Sequence, residues 1–166
     1  VVKESQNRIY PVGATLVKEN GPGNGLFVVI KGQVKISIRN TVMDILGPGS
    51  VIGEMAVLTG MPRTATVTAD SHVAVLWMTT SRMKKIMKDS PDLEKHLWKF
   101  ACTRFAINLL STRKPYNDWQ QKEFRQWLAA GEIMYPDETG KIDLKGKVGI
   151  LVTGKATSSD KEIIMT

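Results

Sequence analysis

From Tyr10 to Met78 the chain is cut by turn signals about every eight to twelve residues, which leaves room only for short strands. The cuts are Tyr10-Pro11-Val12-Gly13, Asn20-Gly21-Pro22-Gly23-Asn24-Gly25, Lys31-Gly32-Gln33, Asn40-Thr41, Gly47-Pro48-Gly49 and Asp70-Ser71. Between them lie residues 14–18, the first expected strand, then 26–30, 42–46, 64–69 and 73–78. Val34, Ile36 and Ile38 alternate with Lys35, Ser37 and Arg39, the period of a strand with one wet face. Such a series, interrupted by one short helix, predicts a mainly β fold with helices, an antiparallel double-sheet roll of the jelly-roll kind.

The period changes at Thr79. Met83, Ile86 and Met87 fit a helix from a Ser81 cap to about Lys88. Ser90-Pro91-Asp92 opens a longer one to about Leu110, with Pro91 in its first turn. Leu93, Leu97, Phe100 and Ile107 share one stripe of that helix, and Arg104 falls in the middle of it. Asn117 or Asp118 caps a third helix to about Ala130, with Phe124, Trp127 and Leu128 apolar and Gly131 closing it. Residues 141–144, 148–153 and 162–165 read as strands. The expected organisation is a roll plus lid helices (81–110) within residues 1–113, then a small extension over 114–166 of one helix and strands, itself incomplete.

A chain of 166 residues with 42% hydrophobic content can bury one good core and an appendage. Its net charge of +7 permits an anionic nucleotide, nucleic acid or an acidic membrane surface, and does not choose among them. Lys84, Lys85, Lys88, Lys95 and Lys99 make the helices basic, as a solvated face or toward an acidic partner. Cys102 is the single cysteine, so there is no disulfide framework and no Cys/His metal cluster, and a reducing, cytoplasmic setting fits. The apolar runs at 26–30 and 73–78 are too short to span a bilayer, and no signal-peptide layout is present. A start at Val1 and a stop amid strand-like sequence suggest a piece of something larger. Neither His72 nor His96 has a Ser or Cys partner in a hydrolase motif, so no catalytic residue is expected and no metal ligand.

One stretch reads as an anion site: I-G-E-M-A-V-L-T-G-M-P-R-T-A-T, residues 52–66. A short helix start at Met55 leaves outward N–H groups and the positive dipole end, which suit a phosphate. Gly53 admits a close approach to the backbone, and Arg63 offers a guanidinium fork matched to phosphate oxygens. Two further glycine-rich stretches are decoys. Residues 20–25 lead into a β-rich run rather than a helix, and read as a hairpin connection. Gly149 with Gly154-Lys155 imitates a phosphate loop but carries Ala156 where a hydroxyl is required.

The 52–66 stretch resembles the phosphate-binding cassette of cyclic nucleotide-binding domains, whose pattern is approximately F-G-E-(L/I)-A-L, a spacer, then P-R-(A/T)-A-(T/S). The resemblance implies that Arg63 pairs with the cyclic phosphate and Glu54 takes the ribose 2'-hydroxyl. The backbone around Met55 and Ala56 would complete the cradle, with Thr64 facing the ligand and Ala65 behind it. Ile52 departs from the usual aromatic residue. Ile36 and Leu46 match positions on the base side of the family's pocket, and equally fit ordinary core.

Arg104 matches a lid-helix arginine of the cyclic nucleotide-gated and hyperpolarisation-activated channel group; otherwise it snorkels, stem buried and head in water. Asn108, one turn on, is neither the aliphatic residue nor the acid found there in channels, so the purine stays open, with a lean to cAMP over cGMP. No cofactor is implied beyond that ligand.

A single helix followed by strands supplies no helix-turn-helix, so no nucleic acid is expected as partner. The cassette's wording and a β-containing tail look most like sperm-type sodium/proton exchangers that carry such a domain. The expectation is a non-catalytic sensor on the cytoplasmic side of a plasma-membrane transporter or channel, homo-oligomeric if its parent is. The alternatives are a ligand-free protein-docking module and a nucleic-acid-binding regulator.

Overall fold

The computed structural model describes residues 5–110, 114, 116–145 and 149–152. They fall into two compact units that divide between Lys95 and His96. The first unit carries β1 (Gln6–Tyr10), β2 (Thr15–Val17), β3 (Gly25–Lys31), β4 (Val34–Ile38), β5 (Thr41–Leu46), β6 (Val51–Ile52), α1 (Glu54–Thr59), β7 (Thr66–Ala69), β8 (Val73–Thr79) and α2 (Thr80–Asp89). Helix α3 (Pro91–Leu110) runs across the division, and α4 (Gln121–Ala129) lies in the second unit.

The strands form two four-stranded antiparallel sheets, ordered β1-β8-β3-β6 and β2-β7-β4-β5, and neither closes on itself. This is the double-sheet roll that the turn spacing predicts. Val29, Val34, Val73 and Val75 are essentially inaccessible where the two inner faces meet, with Phe27 and Val67 beside them. Each such side chain contributes about 1.5–3 kcal/mol by leaving water. Strand β3 is the near-continuous apolar run because it is central in its sheet, between β8 and β6. Helix α2 lays Met83 and Met87 against β3 and β8.

Several boundaries differ from the sequence reading. The 14–18 strand is the second, because β1 precedes it. In β1 it is Arg8 and Tyr10 that are half-buried, while Ile9 points out at 79% exposure, so the usual polarity of the alternation is inverted. The Arg8 guanidinium lies 3.6 Å from the Trp77 ring centroid, which covers that cation with an aromatic face. Thr64 and Ala65 form a bend, and β7 begins only at Thr66. Arg39 and Asn40, both at positive φ, centre the β4–β5 turn, so Thr41 already belongs to β5. The cap of α2 is Thr79, whose side chain accepts from Arg82 N–H at 3.3 Å; Ser81 lies inside the helix.

Strand β5 is the outer strand of its sheet and exposes Val42 and Ile45. There Asp44 Oδ1 accepts from the Ile45 N–H at 2.8 Å.

In the second unit α3 buries Leu97, Ala101, Ala106 and Leu110, a narrower and different stripe from the expected one, since Phe100 is exposed. The third helix starts later than expected. Tyr116–Asp118 form a 3-10 turn, and α4 begins at Gln121 without a side-chain cap. The delay comes with an aromatic cluster: Tyr116 stacks on Trp127 at 5.5 Å, Trp119 meets Trp127 edge-on at 5.5 Å, and Phe124 is buried beneath. Gly131 closes α4 through its N–H to the Leu128 carbonyl at 3.0 Å.

The expected strand at 141–144 does not form. Ile142 and Leu144 alternate correctly but stay exposed, with no neighbouring strand to pair with among the described residues. The segment is tied instead by Asp137, whose Oδ1 accepts from Thr139 N–H, Thr139 Oγ1 and Lys141 N–H at 2.8, 2.7 and 2.9 Å. Of 148–153, Ile150 makes a single bridge within Gly149–Val152, and 162–165 lies outside the described residues. No described helix is long and apolar enough to cross a membrane, and no cluster of metal-binding side chains occurs among the described residues.

Candidate functional site

Glu54 and Arg63, at 3% and 5% exposure, are the two buried charged side chains among the described residues, and both come from the cassette. Gly47 to Ser50 turn the chain into β6, with Gly49 N–H donating to the Val29 carbonyl at 2.8 Å. Gly53, at φ +85°, then redirects it into α1, with Glu54 as the first helical residue. Helix α1 ends at Gly60, also left-handed, whose N–H bonds the Ala56 carbonyl at 3.0 Å. Six residues of helix thus place Met55 and Ala56 in the interior behind Glu54.

The Arg63 fork points back into the roll. Nη1 donates to the Gly53 carbonyl at 3.1 Å, and Nη2 donates to the Gly25 carbonyl at 2.6 Å and to Asn24 Oδ1 at 3.1 Å. Its main chain is fixed to the same loop: Arg63 N–H donates to the Gly21 carbonyl at 3.0 Å, and Asn20 N–H to the Arg63 carbonyl at 2.9 Å. Burial pulls the guanidinium below its ordinary pKa, and the Glu54 charge pushes it back up. A buried cation held mainly by neutral acceptors is costly to maintain and strongly attracts an anion. The close approach needs the glycines. A Cβ on Gly53 would strike Arg63 Nη1, and one on Gly25 would collide with the Met78 carbonyl and lie 2.9 Å from Trp77 Nε1, a buried donor with no acceptor among the described residues.

The structure therefore brings together Gly53, Glu54, Met55, Ala56 and Arg63, with Thr64 exposed and Ala65 half-buried immediately after. Ile36 and Leu46 are half-buried and pack on the core of the roll. Arg104 and Asn108 belong to the second unit, on α3, where the Arg104 guanidinium stands 5.0 Å from the Phe100 ring centroid. The residues that the sequence reading passed over are Asn24 and Gly25. Their signal was an amide between two glycines in a loop treated as a plain connection. A groove of about 530 Å3 occupies the outer face of the second sheet, walled by Lys35, Ser37, Thr66, Thr68 and Asp70. It contains none of the expected ligand residues, and its charges form an exposed ion pair at 3.6 Å, so the buried cassette is the stronger candidate.

An open double-sheet roll, interrupted by a short helix and carrying an interior arginine beside a carboxylate, places the chain in a class of β-roll domains. The family model for the cyclic nucleotide-binding domain matches residues 7–90, half of the chain, and the chain belongs to that family. The domain is a regulatory, non-catalytic fold.

The chain is 34% identical over 104 residues to the cyclic nucleotide-gated potassium channel mll3241 of Mesorhizobium japonicum, covering 63% of this chain and 29% of the channel. It is 28% identical over 109 residues to the CRP-like cAMP-activated global transcriptional regulator of Mycobacterium tuberculosis, covering 63% of this chain and 49% of the regulator. The match thus spans less than half of either relative. In fold it is similar to cAMP-bound PfPKA-R, with a TM-score of 0.56 at 23% identity, over 67% of this chain and 39% of that one.

Proposed function

We propose that this chain senses a cyclic nucleotide for a larger membrane transporter or channel. Arg63 takes the cyclic phosphate and Glu54 the ribose 2'-hydroxyl. The N–H groups around Met55 and Ala56 complete the cradle next to Gly53, and Thr64 and Ala65 flank the ligand. Ile36 and Leu46 line the base side, and Arg104 and Asn108 serve from the lid helix. The single observation behind this reading is the buried Arg63 guanidinium, which carries a full charge against carbonyl acceptors and one carboxylate.

The ligand favoured is cAMP. Its support is that a relative is a cAMP-activated regulator and that a structural neighbour is cAMP-bound. A membrane parent is supported by the potassium-channel relative, and a sodium/proton exchanger among such parents is proposed from the wording of the cassette alone. The domain would then face the cytoplasm. Binding shifts the helices only by the ligand's differential affinity for their two positions.

Calorimetric titration with cAMP and cGMP, with Arg63→Ala in parallel, tests the reading. Saturable binding in the wild type should weaken by about 3–5 kcal/mol in the variant, the cost of leaving a buried ion-pair partner alone. Unchanged affinity would remove Arg63 from the site. No heat from folded wild type would favour a protein-docking module. A DNA arm belongs beside it, since steeply salt-dependent DNA binding that nucleotide leaves unaltered would favour a nucleic-acid regulator.

A further inference from the structure

The loop that grips Arg63 is itself gripped from its other side. Thr80, the first residue of α2, donates its Oγ1–H to the Gly23 carbonyl at 2.8 Å and its N–H to the Asn24 carbonyl at 3.2 Å. Residues 23–25 therefore form a strap with Thr80 on one side and the Arg63 fork on the other. The strap also packs on the cassette helix, since a Cβ on Gly23 would lie 2.5 Å from the Ala56 Cβ and 3.3 Å from the Met61 carbonyl. It has no slack, because Gly25 already lies tight against the Met78 carbonyl.

We infer that Thr80 is a positioning residue for nucleotide binding, acting through residues 23–25 to set where the Arg63 guanidinium is held. The inference rests on the cyclic nucleotide reading above. Asn24 Oδ1 and the Gly25 carbonyl take two Nη2 hydrogens, so a shift of the strap moves both acceptors together and re-aims the fork. Thr80 belongs to α2, so a ligand that draws Arg63 toward a phosphate changes the load on the first turn of that helix. By reciprocity, a partner whose affinity for α2 the nucleotide changes must change nucleotide affinity by the same factor.

The test is cAMP titration of the wild type, Thr80→Val and Thr80→Ser, with urea unfolding of each. Valine keeps the shape and removes the Oγ1 donor; serine restores it. Valine should weaken cAMP binding about fivefold, the scale of one lost hydrogen bond. Serine, which keeps the hydroxyl and loses only the methyl, should return it to within about twofold. Wild-type binding with the valine variant unchanged, or with serine as weak as valine, overturns the inference and leaves the sensor reading standing. Absence of wild-type binding overturns both. If valine fails to fold, the amide of Thr80 in the wild type decides: its hydrogen exchange should change on adding cAMP, and an unaltered rate refutes the coupling.

Discussion

The cassette and the extension hold their polar groups in opposite ways. Arg63 reaches Asn24 and Gly25, 39 and 38 residues away, and Gly53, 10 residues away. Asp137 satisfies itself on Thr139 and Lys141, two and four residues along. Around Arg63 the acceptors come from two distant strand ends, Asn24 and Gly25 at the start of β3 and Gly53 just after β6, so the geometry requires those parts of the roll to be folded together. Around Asp137 the chain needs only to turn on itself. A region organised by distant segments ties its chemistry to global stability, whereas a locally organised one opens at low cost.

That contrast breaks most readily in the roll. Phe27→Ala removes a buried ring between the sheets and should cost about 3–5 kcal/mol in urea unfolding. Nucleotide binding should fail as the roll melts. A loss under about 1 kcal/mol would mean that the core relaxes around the gap, and that the site is less tied to it than the bonds suggest. In the extension, Trp127→Ala removes a ring that is 40% exposed and should cost about 1 kcal/mol, the scale of one or two aromatic pairs. A cost as large as that of Phe27→Ala would erase the distinction.

The smallest effect concerns Asp137. Its carboxyl is held below the ordinary aspartate range, first by the Lys141 N–H and then by the Thr139 hydroxyl. The ionised form is favoured in the folded turn, so its contribution is complete above the ordinary aspartate pKa and is lost as pH falls through the lowered one. A carbon-13 titration should place its midpoint below that of an unstructured aspartate; a midpoint at the ordinary value would show that the turn is not formed.

The same contrast explains what could be read from the sequence. Strands β3 to β5, β7 and β8 were legible because period-two burial writes itself into apolar spacing, and the cassette because its residue order is specific. Strand β1 was not, because its inward Arg8 is stabilised by a Trp77 ring 69 positions later, which no local pattern records. Asn24 was missed for the same reason: its acceptor role depends on Arg63 arriving from elsewhere. The strand expected at 141–144 shows the reverse error, a correct alternation with no neighbour to pair with among the described residues. The late start of α4 reflects aromatic packing around Tyr116 and Trp127, a tertiary preference that overrides a cap signal.

The outer strand β5, with Val42 and Ile45 turned to water, is the kind of edge on which copies of a protein stack at high concentration. By spending its carboxylate on the Ile45 amide, Asp44 occupies a donor that an incoming strand would require. The roll can thus expose apolar side chains along that margin and still resist growing into a continuous sheet with its neighbours. That protection matters most when many copies are crowded together, as they would be on the face of a shared assembly.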